Sequence, residues 1–557
     1  MAMFTDLPNE LCEAILSALN PVVIARFQRV CRAARALVRS SVALQYKLAC
    51  FRAGVVDCPA GLRSSTAERL VRVRGWHAAW KRPRWRHIHL PPLTAHPCTS
   101  GPVFAQRAAQ DPTSIAFFLL GSPLRSAGLH SWTLTGLPEY ITFAFDWYLD
   151  LLVVVERTDA RHVTLHFLTC TTGHPHPLAA SPSTCVALSD DLGNLKLVIG
   201  GSLVLCQHIS RYGRWIERWV FDWRGGSLLL SLVTTESDMR MMGQDSTLLD
   251  SRYLLVTVDV TNDAKSPVLA VFDCYNVPRD RQLTLPADIG SASILLDLPL
   301  LDWMKWAAIY RVDCRPFSHE ALPKQTRGFA FRPVAPPIVH VSIRHIEHDW
   351  IRYDVLIPAM LISICGALAR FRPLLPPPRL SWKAYASRCR VISADDGVVQ
   401  GHRHAMAAPA REEHWDDVPN DFEPDGQPAT GGAQDDEDSE DSESGEDGGA
   451  SDGGDSSDEE EGYTIEIRHF AWAPLVRSDG DVDNNTGEVP DGVEVHRIVN
   501  ASSVSQECHF EEPVPTAAPY LKTWTGICAA EGSRLFLVED GIVVSEGSKK
   551  PMRAYII

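Results

Sequence analysis

None of the 14 cysteines belongs to a CxxC pair, and they are scattered along the chain. That excludes a disulfide framework and a zinc-ribbon pattern. Cys31, Cys206, Cys274 and Cys365 sit inside apolar runs, which predicts buried, reduced thiols of a cytoplasmic or nuclear protein. The N-terminus lacks a basic stretch followed by an apolar one, so secretion is not expected and the sequons at Asn484 and Asn500 carry no meaning. No apolar run reaches the roughly 20 residues a spanning helix needs. The best candidate, "VLIPAMLISICGALA" at 355–369, has 15 residues and contains Pro358; it reads as buried sheet, with no membrane partner. There is no P-loop, no GxGxxG after a strand, no HExxH and no GxSxG. Nothing recommends catalysis, and no cofactor is expected.

Charge excess is also missing from most of the chain. The formal net charge is −16, yet 15 acids and no Lys or Arg fall between Asp435 and Glu461, and without them the charge is −1. Residues 397–461, rich in Ser, Gly, Asp and Glu, have too little apolar surface to offset the entropy of ordering and read as a disordered acidic insertion. Within it Ser444, Ser456 and Ser457 each precede an acid by three residues, a context that suits an acid-directed kinase and makes them candidate phosphorylation sites.

What is present divides the chain. Residues 1–40 and 41–90 read as helices. "SVALQYKLACFRAG" stops at Gly54, and Ser65 precedes Glu68 at capping-box spacing. Leu70, Val73, Trp76 or His77, and Trp80 then recur at helical spacing. From 101 onward short apolar runs alternate with Gly, Pro, Asp and Asn, the pattern of an all-β body over 101–396 and 462–557. The runs repeat. First members align at Leu151, Leu203 and Leu254; second members align at Thr169, Asp222 and Asp273. Both series step by about 51 residues, which predicts seven or eight propeller-like units, with a pair of β-sandwiches or an irregular all-β domain as the alternative. "GSRLFLVEDG" near the C-terminus resembles "DSRYLLVTVD", and a last strand "MRAYII" follows. The fold class is thus α+β multidomain, with small helical pieces before a propeller-like all-β body.

Several chemical signals have simpler readings. Residues 63–86 carry eight basic residues against Glu68, interleaved with Trp76, Trp80 and Trp85. The tryptophans lie on a helical stripe, which favours a packed linker helix over a nucleic-acid partner. "DGDVDNNTGEVP" places Asp479, Asp481 and Asp483 as a calcium loop would, but Asn484 and Pro490 stand where Gly and Glu are needed. His87/His89, His174/His176 and His402/His404 are spaced by two with no third ligand suggested, so no metal is expected.

The opening stretch, "FTDLPNELCEAILSALNPVVIARFQRVCRAA", raises a different question. Leu7, Leu11, Ile15 and Leu19 are spaced by four on one stripe; Asn20 can cap and Pro21 begin a second helix, while Ile24, Phe27, Val30 and Cys31 add a second apolar face. A piece this short does not usually stabilise itself, so another surface should cover part of it.

The residues Leu7, Pro8, Glu10, Ile15, Leu16, Leu19, Pro21, Val30 and Cys31 resemble, in order and spacing, the F-box pattern L-P-x-E, I-L-x-x-L, P, V-C. The following "AERLVRVRGWHAAWKRPRW" and β-rich body are similar to F-box proteins of mushroom-forming fungi. The resemblance implies a substrate receptor: the F-box docks on a Skp-type adaptor, which joins it to a cullin-RING ubiquitin ligase, and the β body binds a protein substrate. It implies adaptor contacts at Leu7, Pro8, Ile15, Leu19, Pro21, Ile24, Val30 and Cys31. The family often has a tryptophan shortly after the V-C pair; here Ala34 stands there, which would weaken docking. The alternatives are an F-box scaffold acting outside ubiquitination and an enzyme housed in the propeller-like body.

Overall fold

The computed structural model describes residues 7–58, 64–81, 84–125, 129–210, 215–235, 245–258, 268–278, 281–285, 287–298, 307–314, 331–333, 338–345, 352–358, 361–363, 366, 377–385, 389–393, 398–400, 403–409, 463–470, 497–499, 503–504, 515–516, 520–529, 533–538, 540–547 and 550–556. It consists of N-terminal helices followed by a β-rich body.

Five helices come first: α1 (Asn9–Ala18), α2 (Pro21–Phe27), α3 (Arg32–Ser40), α4 (Val42–Ala53) and α5 (Thr66–Lys81). Their ends follow the local chemistry. Asn20 Oδ1 accepts from the Val22 N–H at 2.9 Å with Pro21 as the first helical residue, and Ser41 Oγ accepts from the Leu44 N–H at 3.2 Å. Gly54 closes α4 in the left-handed region, φ 63°, where a side chain would be strained. At the start of α5 the Ser65 N–H donates to Glu68 Oε2 at 2.8 Å and the Glu68 N–H to Ser65 Oγ at 3.3 Å, a reciprocal capping box.

Seven sheets of four or five strands follow, each built on four antiparallel strands; Leu283–Leu285 and Arg379–Leu380 add parallel edge strands to the third and fourth, and Arg497–Val499 an antiparallel one to the sixth. The first comprises Cys98–Ser100, Val103–Arg107, Ile115–Leu120 and Leu129–Leu134. The second comprises Tyr140–Asp146, Leu151–Arg157, His162–Thr169 and Ser183–Ala187; the third begins with Asn194–Gly200, Leu203–Ile209, Trp215–Asp222 and Ser227–Thr235. The fourth contains Ser246–Leu248, Tyr253–Val258, Val268–Asp273 and Ile294–Asp297; the fifth Ala307–Cys314, Ile338–His345, Arg352–Pro358 and Arg390–Ser393. The sixth contains Val398–Gln400, Arg403–Pro409, Tyr463–Phe470 and Tyr520–Ala529. The seventh joins Arg534–Val538, Gly541–Ser545 and Pro551–Ile556 to Arg86–Pro92, which supplies its outermost strand from the other end of the chain.

The first strands of successive sheets lie side by side, from Cys98–Ser100 through to Arg534–Val538, and the last returns to the first. Neighbouring sheets share their cores. Phe117, Phe145 and Leu152 fill the space between the first and second, and Val153, Phe167, Cys206 and Trp223 that between the second and third. Covered on both faces, the strands read as unbroken aliphatic runs such as "LLVVV" at 151–155, every residue of which is buried. The polar turns after the strands are Asx turns: Asp146, Asp222, Asp250 and Asp273 each accept from the N–H two residues on.

The repeat is therefore real in the strands, with one offset. Leu151 pairs with Thr169 and Leu203 with Asp222, but Asp273 pairs with Tyr253, not Leu254. Four expectations need correction. Arg86–Pro92 is a body strand, not the end of a helical linker. Val398–Gln400 and Arg403–Pro409 are paired strands, so the acidic insertion cannot begin at 397; residues 410–462 lie outside the described residues. Arg534–Val538 is the first strand of its sheet and Tyr253–Val258 the second of its own, so the similar sequences occupy different places. The run at 355–369 is sheet only to Pro358, and residues 361–363 are helical. No helix among the described residues is long and apolar enough to cross a membrane.

Antiparallel order sends the connections between first and second strands, and between third and fourth, to one end of the body. The other connections leave at the opposite end. The turn holding Asp540, the segment holding Ser122 and the Phe331–Pro333 strand belong to the first end, and all three meet the helical region. Pro409 and Tyr463, the paired strand ends on either side of 410–462, lie at the other end.

Candidate partner-docking face

Helix α1 is apolar on two sides. Inward, Cys12 and Leu16 are buried, and Leu16 packs with Ile24, Val38, Leu44 and Leu48 in a core that α1–α4 complete among themselves. Outward, Leu7 is 36% exposed, Leu11 54%, Ile15 45% and Leu19 36%. Val23 on α2 and Val30 after it are 44% and 74% exposed. Among the described residues the helical core does not include this stripe, which leaves an exposed apolar row beside it.

The stripe is held firmly. The Pro8 carbonyl accepts from the Leu11 and Cys12 N–H groups, both at 3.1 Å. Lys47 Nζ reaches from α4 to the end of α1, donating to the carbonyls of Ser17 at 2.6 Å and Leu19 at 2.7 Å. These oxygens are among those a helix end leaves without partners. Cys31 Sγ accepts from the Ala34 N–H at 3.4 Å and caps α3.

The sequence-derived contact residues divide on exposure. Leu7, Pro8, Ile15, Leu19, Val30 and Cys31 face solvent and Pro21 is half-buried. Ile24 is fully buried and serves the helical core. Pro8 stands one position ahead of α1, not within its first turn. Cys31 is exposed, contrary to the expectation of a buried thiol, whereas Cys206 and Cys274 are fully buried; Cys365 lies outside the described residues. Burial pushes the Cys206 thiol up to about 12, which leaves it protonated and unreactive. Ala34 is 4% exposed, so the position lies in the helical core and not on the stripe. Leu11 and Val23 belong to the face but were not among the expected contacts. For Leu11 the i+4 spacing was the available signal; Val23 had none.

The face is anchored to the body. Leu70, Val73, Trp76 and Trp80 of α5 are buried against Leu535, Leu537, Ile542 and Val544 of the seventh sheet. Trp76 Nε1 donates to Asp540 Oδ1 at 2.9 Å, and Asp540 Oδ2 accepts from the Ser122 N–H at 2.9 Å. Between α4 and α5 a short strand, Val55–Asp57, pairs with Phe331–Pro333. Asp57 accepts from Tyr46 Oη at 3.0 Å and is ion-paired with Arg69. Burial raises the Tyr46 hydroxyl far above its ordinary range, so it stays a donor.

The remaining candidates are structural or fall elsewhere. His176 is buried; its Nδ1 accepts from the Leu178 N–H at 3.2 Å and its Nε2 donates to the Leu149 carbonyl at 3.0 Å, which leaves no lone pair for a metal. His87 and His89 share the outward side of their strand with ring centroids 4.4 Å apart. Among the described residues no three His, Cys, Asp or Glu side chains are placed to hold a metal ion. Ser444, Ser456, Ser457, His402 and the 479–490 loop lie outside the described residues.

No protein-family model matches the chain, and no curated protein matches its sequence. Among solved structures it is similar to the WD40 domain of SCAP from fission yeast, at 8% identity over 85% of this chain and 98% of that one, with a TM-score of 0.33. It is similar to Hsv2 of Kluyveromyces lactis at 13% identity, covering 48% of this chain and 70% of that one, with a TM-score of 0.25. Apocarotenoid oxygenase of Synechocystis follows at 10% identity, 55% and 65% coverage and a TM-score of 0.25.

Proposed function

We propose that this protein is a substrate receptor of an SCF-type ubiquitin ligase, working in the cytoplasm or nucleus. The single observation that carries the reading is the outward stripe Leu7, Leu11, Ile15, Leu19, Val23 and Val30, left bare beside a helical core that is already complete. An apolar helix face of this kind fits a hydrophobic groove on a partner. The F-box-like pattern shares Leu7, Ile15, Leu19 and Val30 with this stripe and supports a Skp-type adaptor as that partner. The receptor catalyses nothing itself; it raises the concentration of a bound substrate near the ubiquitin donor.

The body is read as a seven-membered β-propeller. What supports this is the cyclic order of the seven first strands and the seventh sheet's composition, with three late strands joined by one early strand. The helices meet one end of the body, so the opposite end is the free surface for a protein substrate.

Affinity purification of the full chain with a proteasome inhibitor present tests the reading. Wild type should recover a Skp-type adaptor and a cullin, while Leu11→Asp/Ile15→Asp should lose both and keep its substrates. Equal adaptor recovery from the two chains would overturn it. Adaptor without cullin would support a scaffold role instead.

A further inference from the structure

Helix α3 carries arginines at 32, 35 and 39, spacings of three and four that place all three on one side of a helix. All three are exposed, while Ala34 and Val38 on the other side are buried. Arg26 and Arg29 just upstream are exposed as well. Among the described residues none of Arg32, Arg35 and Arg39 forms an ion pair; Arg35 Nε only approaches the Gln28 carbonyl at 3.4 Å. Only Glu10, Glu13 and Asp57 are acidic in 7–58, and Asp57 is engaged by Arg69 and Tyr46.

This arrangement is unfavourable for the isolated helix. Like charges at such spacings repel, and Arg32 at the first position of α3 opposes the helix dipole. No acid stands in the first turn to offset it. Arg39 in the last turn complements the dipole, so the cost falls on Arg32 and on like-charge repulsion, and the exposed row is available to an intermolecular contact.

We propose that the partner covering the apolar stripe also presents a row of carboxylates to Arg32, Arg35 and Arg39. The inference rests on the docking reading above and adds the chemistry of the partner's rim. Adjacency in sequence argues for one protein partner: Val30, 74% exposed, lies between Arg29 and Arg32, so an exposed apolar residue adjoins the basic ones where α2 leads into α3. Apolar centre with arginine at its edge is the composition of a protein interface. A single-stranded nucleic acid would need exposed aromatic rings for stacking. On the described helices Phe51 alone is an exposed ring, at 37%, and it lies on α4.

Binding kinetics of the full chain with a purified Skp-type adaptor, at ~50 and ~300 mM salt, tests the proposal. Rim charges act mainly on association. Arg32→Ala/Arg35→Ala/Arg39→Ala should therefore associate about tenfold more slowly at low salt and lose most of its salt dependence, with dissociation changed less than about twofold. The triple lysine variant should keep the salt dependence of wild type. Unchanged association and salt dependence in the alanine variant would overturn this proposal alone and leave apolar docking standing. Absence of adaptor binding by wild type would overturn both. Tighter binding of the row to a peptide of residues 435–461, or to a single-stranded RNA, than to the adaptor would assign the arginines elsewhere and also overturn it.

Discussion

The indole N–H of Trp76 donates to the carboxylate of Asp540 at 2.9 Å, joining two residues 464 positions apart. Both are buried, and the second carboxylate oxygen holds the Ser122 backbone. One side chain thus ties the last linker helix, the seventh sheet and the first sheet together. This joint, together with the Val55–Asp57 strand on Phe331–Pro333, ties the helical region to the body.

Breaking the joint should cost stability out of proportion to the volume removed. Trp76→Phe keeps most of the ring and leaves a carboxylate oxygen short of a donor; a buried polar group so deprived costs about 1–3 kcal/mol. Asp540→Ala deprives two N–H groups and should cost more. Urea unfolding checks the magnitude. Faster hydrogen exchange along α5 with little change elsewhere in the first sheet would locate the effect.

Ile24 and Ile15 should behave oppositely although both are isoleucines of the opening helices. Ile24→Ala removes a fully buried side chain and should destabilise by about 2–5 kcal/mol. Ile15→Ala, at 45% exposure, should change stability by less than about 0.5 kcal/mol. Thermal unfolding separates the two, and partner binding should follow Ile15 in a chain that remains folded.

The closing strand offers a third check. Leu90 faces Met552 across the seventh sheet, and both are buried in the core shared with Phe104 and Val543. Met552→Ala should cost about 2–5 kcal/mol and loosen Arg86–Pro92 and Pro551–Ile556 together. His89→Ala, exposed on the same strand, should stay within about 0.5 kcal/mol of wild type. Parallel denaturation curves read both.

His176 sets a pH dependence. Burial holds its imidazole below the ordinary value, against a smaller opposing effect of the Leu149 carbonyl. The unfolded chain, titrating near about 6.5, binds the proton more readily than the folded one. Its contribution is therefore complete above about pH 6.5 and is lost as pH falls towards the lower folded value. Stability measured at about pH 7.5 and about pH 5.5 should fall more steeply in wild type than in His176→Gln. Equal slopes would dismiss the effect.

How much of this was legible in the sequence depends on the distance over which each signal acts. Gly54, the Ser65–Glu68 box and the Asn20–Pro21 start are local, and each took the conformation its chemistry favours. The apolar strand repeat was readable because both faces of those strands are covered. Arg86–Pro92 was not readable: it buries Leu90 alone, contains two prolines, and is a strand only because Pro551–Ile556 lies beside it. Which apolar side of α1 turned inward was equally hidden. Cys12 and Leu16 face the core because α2, α3 and α4 converge there, and no spacing within α1 distinguishes them from Leu11 and Ile15.

The pairing of Arg86–Pro92 with the last strands has a consequence for synthesis. The helices are made before the body strands, and Leu535, Ile542 and Val544, against which α5 packs, are translated more than 450 residues later. Until then Trp76 and Trp80 can pack only on the part of their core that comes from the helices and from Phe331, and Arg86–Pro92 lacks the strand Pro551–Ile556 beside it. A polypeptide released early would hold its exposed stripe to the body by fewer contacts, chiefly Val55–Asp57 on Phe331–Pro333. Only a chain that includes the final strands completes the packing of α5, so the seating of the helical region depends on strands far apart in the sequence.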